Sequence, residues 1–229
     1  YKVWFDEYYN YISNESEVIF ESISIGDSYD DVSKKLILQG YTTAEAYEET
    51  LDRIELKQFR NNYEKFIFAV GYEVWFKTEN IPRGNGFVGI KQENGIITAK
   101  AIGNLEEAMY DKKKKFGYTE IEFDHDIQLM TDYFRSLKKG DTEAEIMSRF
   151  GVDFGSVYSK RFSAENGVEK HYYRIYCYGI DSPEKKNLLE NRGKRYIELS
   201  FEDGKLKSGG LYEKLSGERD YSISVEYIE

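Results

Sequence analysis

One alternating run near the C-terminal end holds the residues best suited to recognition chemistry. Residues 171–180 are predicted to form a strand, in which successive side chains point to opposite faces. Tyr172, Arg174, Tyr176 and Tyr178 then share one face, and the more apolar residues between them suit a core. Tyr and Arg are enriched at binding hot spots because both combine a large, rigid surface with a polar tip. The run therefore predicts a binding surface, and the alternative is a tyrosine ladder that only stabilises the sheet.

Trp75 is a second candidate for the same surface. It lies in a strand predicted over residues 63–76, where apolar side chains alternate onto one face and Trp75 lies with Glu73 on the other. We therefore predict that Trp75 extends the binding surface. The competing interpretation is a buried indole, which is the more common environment for Trp.

Catalytic and metal-binding chemistry has weaker support. Asp124-His125-Asp126, with His171 elsewhere in the chain, could supply ligands or an acid–base pair, but a three-ligand site would then need carboxylates as well. Asp-His-Asp before a predicted helix is explained more simply by favourable charges at the helix N-terminus. We predict no catalytic residue, no metal and no cofactor. The alternative is a hydrolase or metal-dependent enzyme with its site in the cleft between two repeats.

The elements that position these residues begin with a phrase that occurs twice. The frame F-x-S-[IL]-x-x-G-D-[ST]-x-x-[DE]-[VI] starts at Phe20 and again at Phe134. The repetition predicts two tandem copies of one unit, over residues 1–115 and 116–229. No linker rich in Gly, Ser or Pro separates the two copies.

Each phrase predicts a turn followed by a capped helix. Ser28-x-x-Asp31 and Thr142-x-x-Glu145 match the capping box, in which the hydroxyl accepts a hydrogen bond from the backbone three residues on. The apolar residues expected in the core behind these caps are Val32, Leu36, Ile146 and Phe150.

The remaining patterns predict mainly antiparallel strands. Three turn dipeptides separate apolar runs, which is a strong hairpin signal; they are Asn94-Gly95, Asn166-Gly167 and Asp203-Gly204. Helices are predicted over 43–61, 104–115 and 126–137, and an edge strand over 221–228. The predicted fold is α+β, with two tandem repeats that each pack one or two helices on an antiparallel sheet of about four strands.

Composition excludes several classes of protein. The 229 residues carry 42 acidic and 32 basic side chains, for a net charge of −10, which argues against nucleic-acid binding. A single Cys excludes an intramolecular disulfide. No apolar run approaches the roughly 20 residues of a membrane span, so we expect membrane association only through an N-terminal anchor.

The repeated phrase and the hairpin turns resemble a known superfamily. Gly26, Asp27 and Ser28, and again Gly140, Asp141 and Thr142, match the phrase that opens the first helix in the β-lactamase inhibitor protein and in SmpA/OmlA-type small lipoproteins. The resemblance implies secreted or lipid-anchored proteins that bind other proteins through a concave sheet, without catalysis. The inhibitor proteins carry disulfides, which this chain cannot form.

From this resemblance we expect a non-catalytic, exported bacterial protein. Its partner would be another protein or a cell-envelope component, bound through a concave, aromatic sheet surface. Because the chain begins at Tyr1 rather than Met, we expect a signal peptide or lipid anchor ahead of it, and an extracellular or cell-surface location. A cytoplasmic location is the alternative.

Overall fold

The described part of the chain is an α+β fold, which confirms the predicted class. The computed structural model describes residues 15–63, 71–77, 87–103, 120–150, 156–177, 195–215 and 221–228. The helices are α1 (15–22), α2 (Tyr29–Leu38), α3 (Ala44–Glu48), α4 (Arg53–Tyr63), α5 (Glu120–Ser136) and α6 (Glu143–Met147). The strands are β1 (Tyr41–Thr43), β2 (Glu73–Lys77), β3 (Val88–Glu93), β4 (Ile96–Gly103), β5 (Ser156–Glu165), β6 (Val168–Cys177), β7 (Arg195–Glu202), β8 (Lys205–Leu215) and β9 (Tyr221–Ile228).

The strands follow chain order, from β1 to β9, in a nine-stranded sheet. Each described pairing of neighbours is antiparallel, as predicted. The strand number exceeds the four or so expected of one copy. The chain divides into two compact units: unit 1 is residues 1–108 with 161–167, and unit 2 is residues 109–160 with 168–229.

In unit 1, the first repeated phrase forms a turn that is tied to the β3–β4 hairpin. Gly26 has φ +97°, a conformation that glycine adopts without steric penalty, and its N–H donates to the Ile97 carbonyl at 2.8 Å. Ile97 in turn donates to the Asp27 carbonyl, and the Tyr29 N–H donates to the Gly95 carbonyl, both at 2.9 Å. The phrase thus fixes where α2 begins relative to the hairpin turn.

In unit 2, the second phrase makes the corresponding bonds to the β7–β8 hairpin. The Gly140 N–H donates to the Leu206 carbonyl at 2.8 Å, and Leu206 donates to the Asp141 carbonyl at 2.9 Å. The Glu143 N–H donates to the Gly204 carbonyl at 2.9 Å. Each phrase therefore docks the start of a helix on a hairpin turn in its own unit.

One predicted cap is confirmed and the other is not. The Ser28 hydroxyl accepts from the Asp31 N–H at 3.4 Å, as expected of an N-cap. Thr142 makes no side-chain bond to the helix backbone; its hydroxyl donates instead to the Glu145 carboxylate. The capping-box prediction is therefore wrong at Thr142.

In unit 1, both faces of the sheet are covered. One cluster joins α1 and α2 to Trp75, Val88, Ile90 and other sheet residues. The other joins Phe59 of α4 to residues on the opposite sheet face, including Phe76. Among the described residues of these two clusters, helices cover both faces of the sheet, so neither face is exposed to solvent there.

In unit 2, the described helices lie on one face of the sheet. Helix α5 packs against β6, and α6 supplies Glu143, which bonds to Tyr173 of β6. Strand β7 contributes fully buried Ile197 and Leu199 to the same face, opposite Ile175 and Tyr173. The four residues predicted behind the caps, Val32, Leu36, Ile146 and Phe150, are all buried in their units.

All three predicted hairpin turns are confirmed. Both residues of each turn have positive φ, from +47° at Asp203 to +79° at Gly167, as tight turns between antiparallel strands require. The β3–β4 ladder shifts register between Lys91 and Gln92, and the β7–β8 ladder shifts between Ser200 and Phe201. These bulges re-aim the side chains that follow them.

Several predicted elements have different bounds. The helix predicted over 43–61 is two helices, because the Asp52 carboxylate accepts from the Ile54 and Glu55 N–H groups and starts α4 afresh. In the strand predicted over 63–76, Tyr63 instead belongs to α4, residues 64–70 lie outside the described residues, and β2 is Glu73–Lys77. The helix predicted over 104–115 lies outside the described residues. Within the described ranges, no helix is long and apolar enough to cross a membrane.

Candidate binding surface

Strand β6 places three of the predicted binding residues on one face. Tyr172, Arg174 and Tyr176 are half-buried, whereas Tyr173 and Ile175 between them are buried on the helix-covered face. The alternation predicted for this strand is therefore confirmed. Tyr178 lies outside the described residues.

A row of tyrosines extends this face across four strands. Rings of neighbouring strands lie close together: the centroids of Tyr176 and Tyr196 are 5.1 Å apart, and those of Tyr196 and Tyr212 are 4.9 Å apart and nearly parallel. Tyr227 of β9 meets Tyr212 at 6.2 Å and almost at right angles. We call this surface the tyrosine face; it consists of Tyr172, Arg174, Tyr176, Tyr196, Glu198, Tyr212 and Tyr227.

The charged pair on this face neutralises itself. Arg174 donates from Nε and Nη2 to Oε1 of Glu198, at 2.9 and 2.6 Å, and its guanidinium lies 5.4 Å from the centre of the Tyr196 ring. Burial alone would lower the pKa of Arg174, but its bonds to Glu198 raise that pKa above the ordinary value. Arg174 therefore stays protonated, and its charge lies within hydrogen-bond distance of the Glu198 carboxylate.

Two tyrosines on this face stay protonated well above neutral pH. Burial, followed by the hydrogen bond to Glu198, raises the pKa of Tyr172. Burial, followed by the nearby charge of Glu198, raises the pKa of Tyr212 to about 12. Both phenols therefore remain available as hydroxyl groups that donate and accept hydrogen bonds.

A pocket of about 320 Å³ opens on the tyrosine face. Its polar lining comes from Glu198 and from Ser200 and Ser208, which face each other across β7 and β8. Tyr172, Tyr212 and Tyr227 supply aromatic walls. Such a combination of aromatic rings and a few polar groups is typical of small-ligand sites.

The position of the Tyr212 ring depends on a glycine in its own strand. A Cβ added at Gly210 would lie 2.7 Å from Cε2 and 2.8 Å from the hydroxyl oxygen of Tyr212. The ring therefore lies flat over the Gly210 backbone, and only glycine leaves room for it there. Gly210 also lines the pocket.

Trp75 does not belong to this surface. Its side chain is 3% exposed and packs in the core of unit 1, and its indole N–H donates to Glu73 at 2.9 Å. The prediction assumed that one face of the strand would be solvated. That assumption fails because helices cover both faces of β2.

The two histidines lie in different surroundings. His125 is exposed within α5, since this helix already begins at Glu120, so its Asp-His-Asp segment is not an N-terminal cap. His171 is held on the helix-covered face by Glu143 and Glu169, both at 2.8 Å. In the part of the chain that the structure describes, no three His, Cys, Asp or Glu side chains are grouped to hold a metal.

The tyrosines on β7, β8 and β9 were missed by the sequence analysis, although the hairpin turn that aligns two of them was predicted. Counted back from Asp203-Gly204 without a bulge, Tyr196 would face Leu211. The register shift after Ser200 brings Tyr212 opposite Tyr196 instead. The turn dipeptide predicts the hairpin, but it does not predict the bulge that sets the register of these tyrosines.

Comparisons of the sequence with protein-family models and with curated proteins found no match.

Proposed function

We propose that this chain is a non-catalytic binding protein that recognises its partner through the tyrosine face of unit 2. The observation that carries the proposal is the row of four neighbouring rings at 4.9–6.2 Å on the sheet face opposite the described helices. Tyrosine is enriched at binding hot spots, where ring area is buried and the hydroxyl still finds a partner. The resemblance of this sequence to the β-lactamase inhibitor protein and to SmpA/OmlA-type lipoproteins favours an exported, surface-anchored protein. Its partner would be a protein or a cell-envelope component.

The proposal includes a duplicated architecture, with one repeat in each half of the chain. Support comes from the matching bonds between each Gly-Asp phrase and its hairpin, and from the bulge that both hairpins carry. A further parallel is a tyrosine–carboxylate bond of 2.5 Å in each unit. In unit 1, Tyr29 on α2 donates to Glu73 on β2, and in unit 2, Tyr173 on β6 donates to Glu143 on α6. The tyrosine is thus on the helix in unit 1 and on the strand in unit 2.

Binding fits the chemistry of the face better than catalysis does. Its carboxylate, Glu198, is hydrogen-bonded to Arg174 and to Tyr172. These bonds make it a poor general base. The phenols have raised pKa values, so they are poor nucleophiles at neutral pH. What the face offers is rigid aromatic area with hydroxyls at its rim.

The test is capture of partners from a cell-envelope extract of the source organism by the immobilised protein. Tyr172→Ala with Tyr227→Ala should weaken capture by roughly 30-fold, the equivalent of one strong hot spot. Tyr227 is 63% exposed, so its loss should hardly affect folding. Ile54→Ser is the matched control, because Ile54 is 70% exposed in unit 1, and it should capture as the unaltered protein does.

Two results would contradict the proposal. Equal capture by the double tyrosine variant and the unaltered protein would show that binding occurs elsewhere. A large fall in the melting temperature of the double variant would assign these tyrosines to sheet stability instead.

A further inference from the structure

We propose that the pocket on the tyrosine face binds a neutral saccharide, one or two sugar rings in size. This proposal rests on the proposed function and narrows it, since it names the kind of cell-envelope component that the face would recognise. A volume of about 320 Å³ lies at the low end of the roughly 300–1,000 Å³ range of small-ligand sites. A single side chain or a short glycan end fits such a pocket better than a broad protein surface does.

The arrangement of the rings favours a sugar ring over a planar ligand. Tyr212 and Tyr227 meet at 89°, so their rings form two walls of a corner. A pyranose has an apolar face of C–H groups that packs against an aromatic ring, and hydroxyls around its edge that point away from that face. A corner of two rings supports both the face and one edge of such a ligand.

The charge balance of the pocket excludes charged ligands. Glu198 is the acidic side chain in its lining, and Arg174 neutralises it through two hydrogen bonds. A cationic ligand in the aromatic corner would need an uncompensated carboxylate to repay the loss of its hydration. An anionic ligand would face the paired Glu198 carboxylate. A neutral ligand meets neither penalty.

The polar groups of the pocket match the demands of sugar hydroxyls. A carboxylate can accept about four hydrogen bonds, of which Arg174 supplies two and Tyr172 one. The hydroxyls of Ser200 and Ser208 both donate and accept, and both line the pocket. A ligand with vicinal hydroxyls can satisfy these groups together, whereas a purely apolar ligand would leave them unpaired at a cost.

The experiment is binding of the full chain to an array of immobilised neutral oligosaccharides, followed by titration calorimetry with the best ligand. We expect a dissociation constant below about 1 mM, and a change of less than about twofold between low and high salt, because no charges are paired across the interface. Tyr212→Ala should weaken binding at least about tenfold. Gly210→Ala should also weaken it, since the new methyl group displaces the Tyr212 ring, while Ile54→Ser should bind normally.

Each other outcome overturns the proposal. Binding to none of the neutral saccharides on the array would overturn it, as would saccharide binding that is unchanged by Tyr212→Ala. Binding of tetramethylammonium without saccharide binding would identify a cation site instead. If no saccharide binds but capture from envelope extract still requires Tyr172 and Tyr227, only the saccharide proposal fails. If that capture is also independent of these tyrosines, the proposed function fails with it.

Discussion

Replacing His171 by Asn should remove a pH-dependent part of the stability of unit 2. His171 Nδ1 lies 2.8 Å from Glu143 Oε1, and both side chains are at most 17% exposed. Burial lowers the pKa of His171, but its bonds to Glu143 and Glu169 outweigh burial and raise that pKa above 6.5. Burial raises the pKa of Glu143, but its bonds from His171 and Tyr173 outweigh burial and lower that pKa below 4.5.

These directions fix the pH window of the effect. A raised histidine pKa gives stability that is complete below about pH 6.5 and is lost as the pH rises through the folded-state value. A lowered carboxyl pKa gives stability that is present above about pH 4.5 and is lost as the pH falls through its folded-state value. The charged pair therefore contributes most between these two limits, near pH 5.5.

The magnitude follows from the kind of hydrogen bond that is exchanged. A hydrogen bond to a charged group contributes about 1.5–3 kcal/mol. Asn cannot carry the positive charge of His171 but can still donate to the Glu143 carboxylate, so His171→Asn should lose only part of that range, about 1 kcal/mol of the free energy of unfolding near pH 5.5. The loss should shrink as the pH is raised from 5.5 toward 9, because His171 loses its proton as the pH rises through its folded-state pKa.

Urea unfolding of both proteins between pH 5.5 and pH 9 measures this difference in the free energy of unfolding. His125→Asn is the matched control, because His125 is exposed on α5, and its effect on the free energy of unfolding should be small. A loss at His171 that is equally large at pH 5.5 and pH 9 would refute the argument, since it would show that shape and packing, rather than charge, account for the effect.

Two further substitutions test the packing of the units. Lys100→Met in unit 1 should lower the free energy of unfolding by about 2 kcal/mol, because the buried ammonium donates to the Phe20 and Ile23 carbonyls at 2.9 and 2.8 Å; urea unfolding measures this, and Lys91→Met on the exposed surface should change it by less than about 0.5 kcal/mol. Gly209→Ala should destabilise unit 2 by about 1–3 kcal/mol, because its methyl group would lie 3.0 Å from buried Leu199; Gly210→Ala, which meets only the movable end of Tyr212, should change the melting temperature far less.

The sequence predicted best what is encoded locally. The Asn-Gly and Asp-Gly turns specify their backbone conformation within two residues, and all three are present. Alternation in β6 correctly separated Tyr172 and Arg174 from the buried Ile175. Both signals depend on neighbouring residues, and the packing of unit 2 agrees with both.

The errors concern features that other elements decide. Trp75 was placed on a solvated face because its strand alternates, and only the packing of α1 and α2 shows that this face is buried. The Thr142 hydroxyl was expected to accept a hydrogen bond from the helix backbone, but the bond that it makes is donated to the Glu145 carboxylate. The alignment of Tyr196 with Tyr212 depends on a bulge. In each case a partner distant in sequence, or one of several partners nearby, decides the outcome.

The strongest reason to propose binding at the tyrosine face comes from its contrast with one face of unit 1. There Phe76 of β2 lies against Phe87, just ahead of β3, with ring centroids 5.3 Å apart, and Phe59 of α4 packs in the same cluster. In unit 2 the pair is Tyr176 and Tyr196, at 5.1 Å. Both of these rings carry a hydroxyl, and Arg174 bonds to Glu198 on the same face.

A face that is covered by its own helix needs only apolar rings, because no polar group must be satisfied there. Hydroxyls and a paired charge on such a face would weaken the packing of a helix, since each would need a partner inside the interface. They are useful on a face that meets water in one state and a partner in another. The hydroxyls and the paired charge of the tyrosine face, where the face of unit 1 has phenylalanines packed against a helix, therefore favour a surface for recognition over a second layer of core.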